Sequence, residues 1–270
     1  MTTITADAPA VVRVNRGHAV GDALTMAWRN LLNLVRNPQL LVFATIQPVI
    51  FVLMFRYVFG GAIQGSLPPG QTYVNFLMPG IFVQTIVFGS LTTGVGLADD
   101  LSKGLIDRFR SLPMARSAVL VGRTLADLVR NFFVVILMCV VGFIVGWTIG
   151  TNVWGLIGAV GIILVFSYSL SWVFAIVGLM VKDAETAQAV SFPILAPLVF
   201  ASSAFVPVAT MPSWLQGWAE NQPVSIVVDA ARALTIGGPT SEYVIKALLW
   251  IVGIVAVCAP IAVNRYRRAV

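Results

Sequence analysis

The residues best suited to a specific task are the charged and apolar side chains of residues 99–130, which lie between two long apolar runs. Helical spacing places one apolar face beside one charged face. The apolar face consists of Leu101, Leu105, Phe109 and Leu112, and the charged face of Lys103, Asp107 and Arg110. Such a helix, ended by Pro113, can dock in a groove of a partner protein. It could equally pack on the protein's own cytoplasmic helices, and periodicity does not separate the two.

The sequence shows no catalytic constellation beside this segment. It contains no G-x-x-x-x-G-K-[ST] phosphate loop, no H-E-x-x-H zinc motif and no G-x-S-x-G nucleophile motif. Cys139 and Cys258 both fall in apolar runs, at a spacing that suggests neither a metal site nor a disulfide framework. We therefore expect a non-catalytic protein with no metal and no cofactor of its own.

Composition indicates an integral membrane protein, because 58% of the residues are hydrophobic, only 10% are charged and the mean hydropathy is +0.91. A membrane helix needs about 20 mostly apolar residues to cross the hydrocarbon. Six segments meet this requirement, which predicts an all-α protein with six transmembrane helices. They are residues 40–59, 74–97, 131–149, 154–181, 188–206 and 243–263.

The distribution of Lys and Arg predicts the orientation. Basic residues precede the first segment, fill the region between the second and third and follow the sixth, whereas residues 60–71 and 150–153 carry no charge. Since cytoplasmic loops retain positive charge, both termini should be cytoplasmic in a multi-pass protein of a prokaryotic plasma membrane. The net charge of +6 follows from this bias. It favours contact with anionic lipid and gives no support to nucleic-acid binding.

Residues 1–19 read as a flexible cytoplasmic tail, residues 20–37 as an amphipathic helix and residues 38–268 as the transmembrane domain. The predicted helix has two faces. Its apolar face contains Val20, Leu24, Trp28, Leu31 and Val35, and its polar face Asp22, Thr25, Arg29, Asn33 and Arg36. Such a helix can lie along the cytoplasmic membrane surface. A plain extension of the first transmembrane segment is the alternative, but it leaves the two faces unexplained.

Two groups of motifs resemble the ABC type-2 transporter permeases, specifically the daunorubicin-resistance branch. The first resembles their first cytoplasmic loop: Lys103-Gly104, Asp107-Arg108-Phe109-Arg110-Ser111-Leu112-Pro113-Met114, Arg116, Gly122-Arg123 and Asp127. The second resembles the segment between their fifth and sixth spans: Phe205-Val206-Pro207, Met211-Pro212, Trp214-Leu215-Gln216, Asn221-Gln222-Pro223-Val224-Ser225, Ala231-Arg232 and Leu234. The resemblance covers nearly the whole chain from about Val20 onward.

This resemblance implies the membrane half of an ATP-driven exporter, with a coupling helix that contacts a separate ATPase subunit. It places eleven residues at that contact: Leu101, Lys103, Gly104, Leu105, Asp107, Arg108, Phe109, Arg110, Leu112, Pro113 and Arg116. ATP and Mg would be bound by the ATPase. Six spans would form half a pathway, so a second copy or a paralogue is implied.

The transport pathway should be apolar, which fits a lipophilic cargo such as a hydrophobic drug or a glycolipid. The candidate lining residues lie on the fifth span: Phe192, Pro193, Pro197, Phe200, Ser202, Ser203 and Phe205. Between the fifth and sixth spans the resemblance implies short external re-entrant helices, near Ser213 and over residues 225–234. Their candidate residues are Pro212, Trp214, Trp218, Glu220, Asp229 and Arg232, the last three as mutual partners. An external loop resting on the headgroups would use the same tryptophans.

Two other classes of function stay open. A self-contained carrier or channel would normally need acidic groups near the membrane midplane, and the predicted spans contain none there. A membrane-embedded enzyme would need one of the catalytic motifs that the sequence lacks. The exporter subunit is therefore the favoured interpretation.

Overall fold

The structure, a computed structural model, describes residues 16–36, 38–104 and 116–269, and these residues form helices and turns without any strand. The helices are α1 (Arg16–Arg36), α2 (Pro38–Met54), a π-helix (Phe55–Phe59), α3 (Gly60–Gln64), α4 (Tyr73–Ser102), α5 (Arg116–Val145), α6 (Val153–Gly178), α7 (Ala184–Phe200), a 3-10 turn (Val208–Thr210), α8 (Ser213–Asn221), α9 (Pro223–Thr235) and α10 (Thr240–Ala269). The predicted all-α class is confirmed for the described residues.

Five helical stretches in the described chain are long and apolar enough to cross a membrane. They are Thr45–Gln64, Tyr73–Ser102, Leu120–Val145, Val153–Gly178 and Thr240–Tyr266. The predicted fifth span, residues 188–206, corresponds to the apolar helix α7, which is shorter than the five candidate spans. α7 ends at Phe200, because the residues that follow turn back: the amide of Ser203 donates a hydrogen bond to the Ser225 hydroxyl, and Arg232 donates to the carbonyls of Ser203 and Ala204.

The third span begins earlier than residue 131, the position expected from hydropathy. α5 runs from Arg116 to Val145, so Asp127 and Arg130 lie within the spanning helix Leu120–Val145. The helix stops at Gly146, which has a left-handed φ of 93°. The amide of Trp147 donates to the carbonyl of Gly142 at 2.8 Å, a hydrogen bond typical of a helix C-terminus closed by glycine.

The centre of the fold is a close contact between α4 and α6. A Cβ atom added to Gly94 would lie 2.5 Å from the carbonyl oxygen of Phe174, and one added to Gly178 would lie 2.3 Å from the carbonyl oxygen of Gly94. Only glycine allows two helix backbones to approach this closely. By contrast, the apolar stretches Thr45–Gln64 and Thr240–Tyr266 expose most of their surface, as expected for surfaces that face lipid or a second subunit.

α1 packs along α5. Its packed face consists of Ala23, Met26 and Ala27, which lie against Gly122. Leu24 and Trp28, on the predicted apolar face, are 59% and 63% exposed and point away from the protein. The helix is therefore present, but it contacts the protein through Ala23, Met26 and Ala27, which hydropathy periodicity did not single out. Its position on the membrane surface stays a prediction.

The segment before α10 contains the two short helices expected near Ser213 and over residues 225–234. α8 lies at the surface, whereas α9 is buried against α4, α6 and α10. α9 begins at Pro223, whose fixed φ suits the first turn of a helix. Sequence periodicity had placed its start two residues later.

Candidate functional site

The proposed coupling segment is bounded by the end of α4 and the start of α5. Leu101 lies in the last turn of α4, Lys103 and Gly104 follow it, and Arg116 begins α5. Gly104 has a φ of 66°, and its amide donates to the carbonyl of Leu101 at 3.0 Å, which closes α4. The other predicted contact residues lie outside the described residues: Leu105, Asp107, Arg108, Phe109, Arg110, Leu112 and Pro113.

Lys103 is held at the surface by its own helix. Its ammonium group lies 2.6 Å from the carboxylate of Asp99, one helical turn earlier, and both side chains are exposed. The hydrogen bond from Lys103 to Asp99 raises the pKa of Lys103, so this ion pair persists at neutral pH. An exposed pair of this kind contributes little stability.

Asp100 joins three helices at the base of the coupling segment. Its carboxylate lies 2.7 Å from the guanidinium of Arg123 on α5 and 3.9 Å from that of Arg29 on α1. The Asp100 and Arg123 side chains are only 13% and 19% exposed, so water weakens the attraction between their charges only partly. The sequence showed Arg123 within the family motif but gave no sign of its partner. We call these three residues the Asp100 cluster.

A second polar network lies deeper, between α4 and α5. Asp127 lies 3.2 Å from Arg130 and accepts a hydrogen bond from Thr93, while Arg130 also donates to the carbonyl of Gly89 and the hydroxyl of Thr92. The side chains of Asp127 and Arg130 are 13% and 12% exposed. Asp127 lies near one end of the candidate span Leu120–Val145, so the expectation that the spans carry no acidic group near the midplane stays a prediction. Pairing with Arg130 lowers the cost of burying Asp127, which sequence reasoning had assigned to a cytoplasmic loop.

The network continues into α6 through Asn131. Its side-chain amide donates to the hydroxyl of Ser167 at 2.6 Å, and both residues are buried. Ser90 on α4 also donates to the carbonyl oxygen of Ser167. Residues from α4, α5 and α6 are thus tied together at one level of the membrane domain.

A cavity of about 440 Å³ lies beside this network, between α1, α2, α4 and α5. Its polar lining includes Gln84, Arg123, Asp127 and Arg130, and its apolar lining includes Phe88. The volume is within the range that binds drug-sized molecules. Sequence reasoning placed no site here, because each of the four helices contributes only one face to it.

The residues predicted to line the pathway divide into two environments. Phe192, Pro193, Pro197 and Phe200 are exposed on α7, whereas Ser202, Ser203 and Phe205 are buried in the turns that follow it. The Phe205 ring stacks on that of Phe55 in the π-helix, with 4.5 Å between their centres. The seven residues share no single face, because the helix ends at Phe200.

Arg232 on α9 connects α4 with the turns that follow α7. Its guanidinium donates to the carbonyls of Phe76, Ser203 and Ala204 at 2.9, 2.6 and 3.0 Å, and to the carboxylate of Asp229 at 3.0 Å. It also lies 3.5 Å above the centre of the Phe76 ring, a cation–π geometry. The predicted pairing among Glu220, Asp229 and Arg232 is right only for Asp229 with Arg232, because Glu220 is exposed on α8 and makes no ion pair with either residue.

The other candidates from the segment between the predicted fifth and sixth spans lie at the surface. Pro212 directly precedes α8, and Glu220 is exposed on α8 outside the Arg232 cluster. Trp214 and Trp218 are 79% and 43% exposed, which suits tryptophans at a membrane interface.

Comparison with known proteins identifies the family. The profile for ABC-2 type transporters matches residues 22–236. The chain belongs to the ABC-2 type transporter family. As a member of that family with five helices long enough to cross a membrane, it is a multi-pass membrane protein of the ABC permease type.

Similar proteins agree with this assignment. The ABC-2 chain is 35% identical over 255 residues to the daunorubicin resistance ABC transporter permease protein DrrB1 of Streptomyces coeruleorubidus, covering 94% of the chain and 89% of that protein. It is 26% identical over 251 residues to the probable doxorubicin resistance ABC transporter permease protein DrrC of Mycobacterium tuberculosis, covering 93% and 90%. It is also 27% identical over 209 residues to the putative transport permease ycf38 of Porphyra purpurea, covering 76% and 70%. The predicted resemblance to daunorubicin-resistance permeases is confirmed.

Proposed function

We propose that this chain is the permease subunit of an ATP-driven exporter that moves a lipophilic drug or a glycolipid or other lipid out across the cytoplasmic membrane. A separate ATPase subunit, which binds ATP and Mg, would supply the energy, and this chain would perform no hydrolysis. The observation that carries the proposal is the Asp100 cluster in an ABC-2 chain. It joins α1, α4 and α5 on both sides of residues 105–115.

The Asp100 cluster suits a point where force is transmitted. A push on residues 105–115 by a closing ATPase would reach α4 and α5 together, because Asp100 and Arg123 connect their cytoplasmic ends. The Asp127 network would carry the same displacement deeper, since it joins α4, α5 and, through Asn131, α6. In this scheme the eleven predicted coupling residues form the contact with the ATPase.

We further propose six crossings with both termini in the cytoplasm. A sixth crossing requires α7, which at 17 residues is about 25 Å long, together with the turns up to Phe205. An even number of crossings agrees with the basic residues at both ends of the chain. The segment from Val208 to Thr235 would then lie on the external side, with α9 as a re-entrant helix that caps the pathway.

The pathway would lie between this chain and a second permease, either another copy or a paralogue. Four of the predicted lining residues support this arrangement, because they are exposed on α7 in the single subunit and are free to face a second one. They are Phe192, Pro193, Pro197 and Phe200. Ser202, Ser203 and Phe205 would act differently, by fixing the turn at the outer end of α7. Membrane lipid would cover the remaining apolar surface.

Quantitative mass spectrometry of the tagged chain, purified from its native membrane in mild detergent, tests the proposal. We expect an ATPase subunit in near-equal amount. The variants L105D and F109D should lose this ATPase and lose ATP-dependent efflux of doxorubicin, while S111D, which adds a charge at a position outside the predicted apolar face, should retain both. Purification of the chain without any ATPase, or normal efflux by F109D, would refute the assignment.

One observation favours a second candidate, a self-contained proton-coupled carrier. Asp127 is a largely buried acidic side chain, 13% exposed, in the helix that contains the candidate span Leu120–Val145, and such carriers use acidic groups inside the membrane. Its contact with Arg130 argues for a structural role instead. Proton-gradient-driven transport by the purified chain alone, abolished in D127N, would support the carrier and reject the ATP-driven pump.

A further inference from the structure

The cavity between α1, α2, α4 and α5 has the shape of an elongated slot. Along α4 its lining extends from Gln84 to Gly96, which is about 18 Å at the helical rise of 1.5 Å per residue. Along α5 it extends from Arg123 to Val134, about 16 Å. The slot therefore reaches from the level of the Asp100 cluster toward the middle of the membrane domain.

The formal charges that line the slot are already neutralised by partners. Arg130 contacts Asp127 at 3.2 Å, and Arg123 contacts Asp100 at 2.7 Å. An ionised ligand would have to break one of these pairs or remain as an uncompensated charge, and either outcome is costly in a poorly solvated site. The electrostatics of the slot thus favour an uncharged occupant.

Two polar atoms of the lining residues have unused hydrogen-bonding capacity. The side-chain oxygen Oε1 of Gln84 is buried and accepts no hydrogen bond from the described residues, and Gln84 as a whole is only 2% exposed. The Nε atom of Arg123 is likewise buried without an acceptor in that part of the chain. Leaving such atoms unpaired costs free energy, so each favours a ligand that supplies the missing partner. A hydroxyl group can both donate and accept.

We propose that this slot is a loading site for an uncharged amphiphile that carries hydroxyl groups. A hydroxyl would donate to Gln84, a second oxygen would accept from Arg123, and the apolar body would lie against Phe88, Val95 and Val134. The role in loading rests on the proposed exporter function and specifies its cargo class. The site also differs from the α7 surface proposed as the pathway, since α7 contributes no residue to the slot's lining.

Photo-crosslinking tests this inference. The purified complex in nanodiscs is exposed to diacylglycerol that carries a diazirine in one acyl chain, and crosslinked peptides are mapped by mass spectrometry. We expect crosslinks on α4 and α5 that unlabelled dioleoylglycerol removes. Dioleoyl phosphatidic acid has the same chains but a charged headgroup, and trioleoylglycerol lacks the hydroxyl; neither should compete at the same concentration.

Variants sharpen the test. Q84L should reduce crosslinking about three- to tenfold, the range expected for one lost hydrogen bond. Q222L, the same substitution at an equally buried carboxamide that does not line the slot, should leave it unchanged. V95W fills the slot from a half-buried position and should block crosslinking even if Q84L folds poorly. Equal competition by phosphatidic acid, or full crosslinking in V95W, would overturn the inference.

The two proposals fail in different ways. Crosslinking needs no ATP, so a chain that captures diacylglycerol in the slot but purifies without an ATPase would reject the exporter and keep the site. A complex with ATP-dependent efflux but no crosslinks on α4 or α5 would reject the site and keep the exporter.

Discussion

Arg232 offers the most demanding test of how this fold is held together. Replacing it with methionine keeps an apolar stem of similar length but removes every donor. The carbonyls of Phe76, Ser203 and Ala204 and the carboxylate of Asp229 would each lose the partner they now have at 2.6 to 3.0 Å. A buried acceptor left without a partner costs about 1–3 kcal/mol.

Summed over the three carbonyls, R232M should therefore destabilise the protein by about 3–9 kcal/mol. This is a large fraction of the 5–15 kcal/mol that usually separates folded from unfolded domains. R232K keeps the charge but presents a single ammonium in place of a planar fork, so it should recover only part of the loss. The assay is thermal unfolding in detergent, followed by size-exclusion chromatography.

K246M is the matched control for R232M. Lys246 lies 2.7 Å from Glu242, but both side chains are more than half exposed, so this ion pair should be almost without effect on stability. If R232M unfolds at the same temperature as the unmodified protein, the carbonyls are satisfied in another way and the reasoning fails.

Three further predictions concern other parts of the molecule. G94L should prevent close packing of α4 on α6 and sharply reduce the yield of folded protein, whereas G161L, where an added Cβ meets open space, should express normally. D100N should lower efflux more than it lowers thermal stability, because it weakens the link between α4 and α5; equal losses of both would contradict the transmission role. The hydrogen bond from the Thr186 amide lowers the pKa of the Asp183 carboxyl, which caps α7. The stabilisation that the ionised Asp183 carboxylate gives α7 should be complete above the usual pKa of aspartate and should disappear as the pH falls through the lowered pKa. The unfolding temperatures of D183N and of the unmodified protein should therefore converge only in acid.

The sequence predicted those elements whose signals are local. The two faces of α1 and the proline Pro212 just before α8 each indicate a helix without knowledge of its neighbours, whereas Pro223, which begins α9, was not used and the predicted start fell two residues late. The salt bridge between Glu242 and Lys246 was also predictable, because it depends only on the spacing of four residues along one helix.

What sequence reasoning missed depends on partners that are distant along the chain. Asp127 lowers the hydropathy of its surroundings, so it was assigned to a loop; only its contacts with Thr93 and Arg130 explain how it is accommodated inside a spanning helix. The fifth span was predicted to continue to residue 206 because residues 201–206 carry no charge and end in Ala204, Phe205 and Val206. The hydrogen bonds from Arg232 that turn this stretch away from a helix join residues 28 and 29 positions apart.

The glycine contact between α4 and α6 has a consequence for how the permease moves. Helices whose backbones touch at Gly94 and Gly178 cannot slide or rotate past each other without a collision of main-chain atoms. We expect α4 and α6 to behave as one rigid body through the transport cycle. Opening and closing would then be displacements of the loosely packed helix α2 relative to this fixed pair. A disulfide or spin-label pair placed between α4 and α6 should report one distance in every nucleotide state, while a pair between α4 and α2 should report at least two.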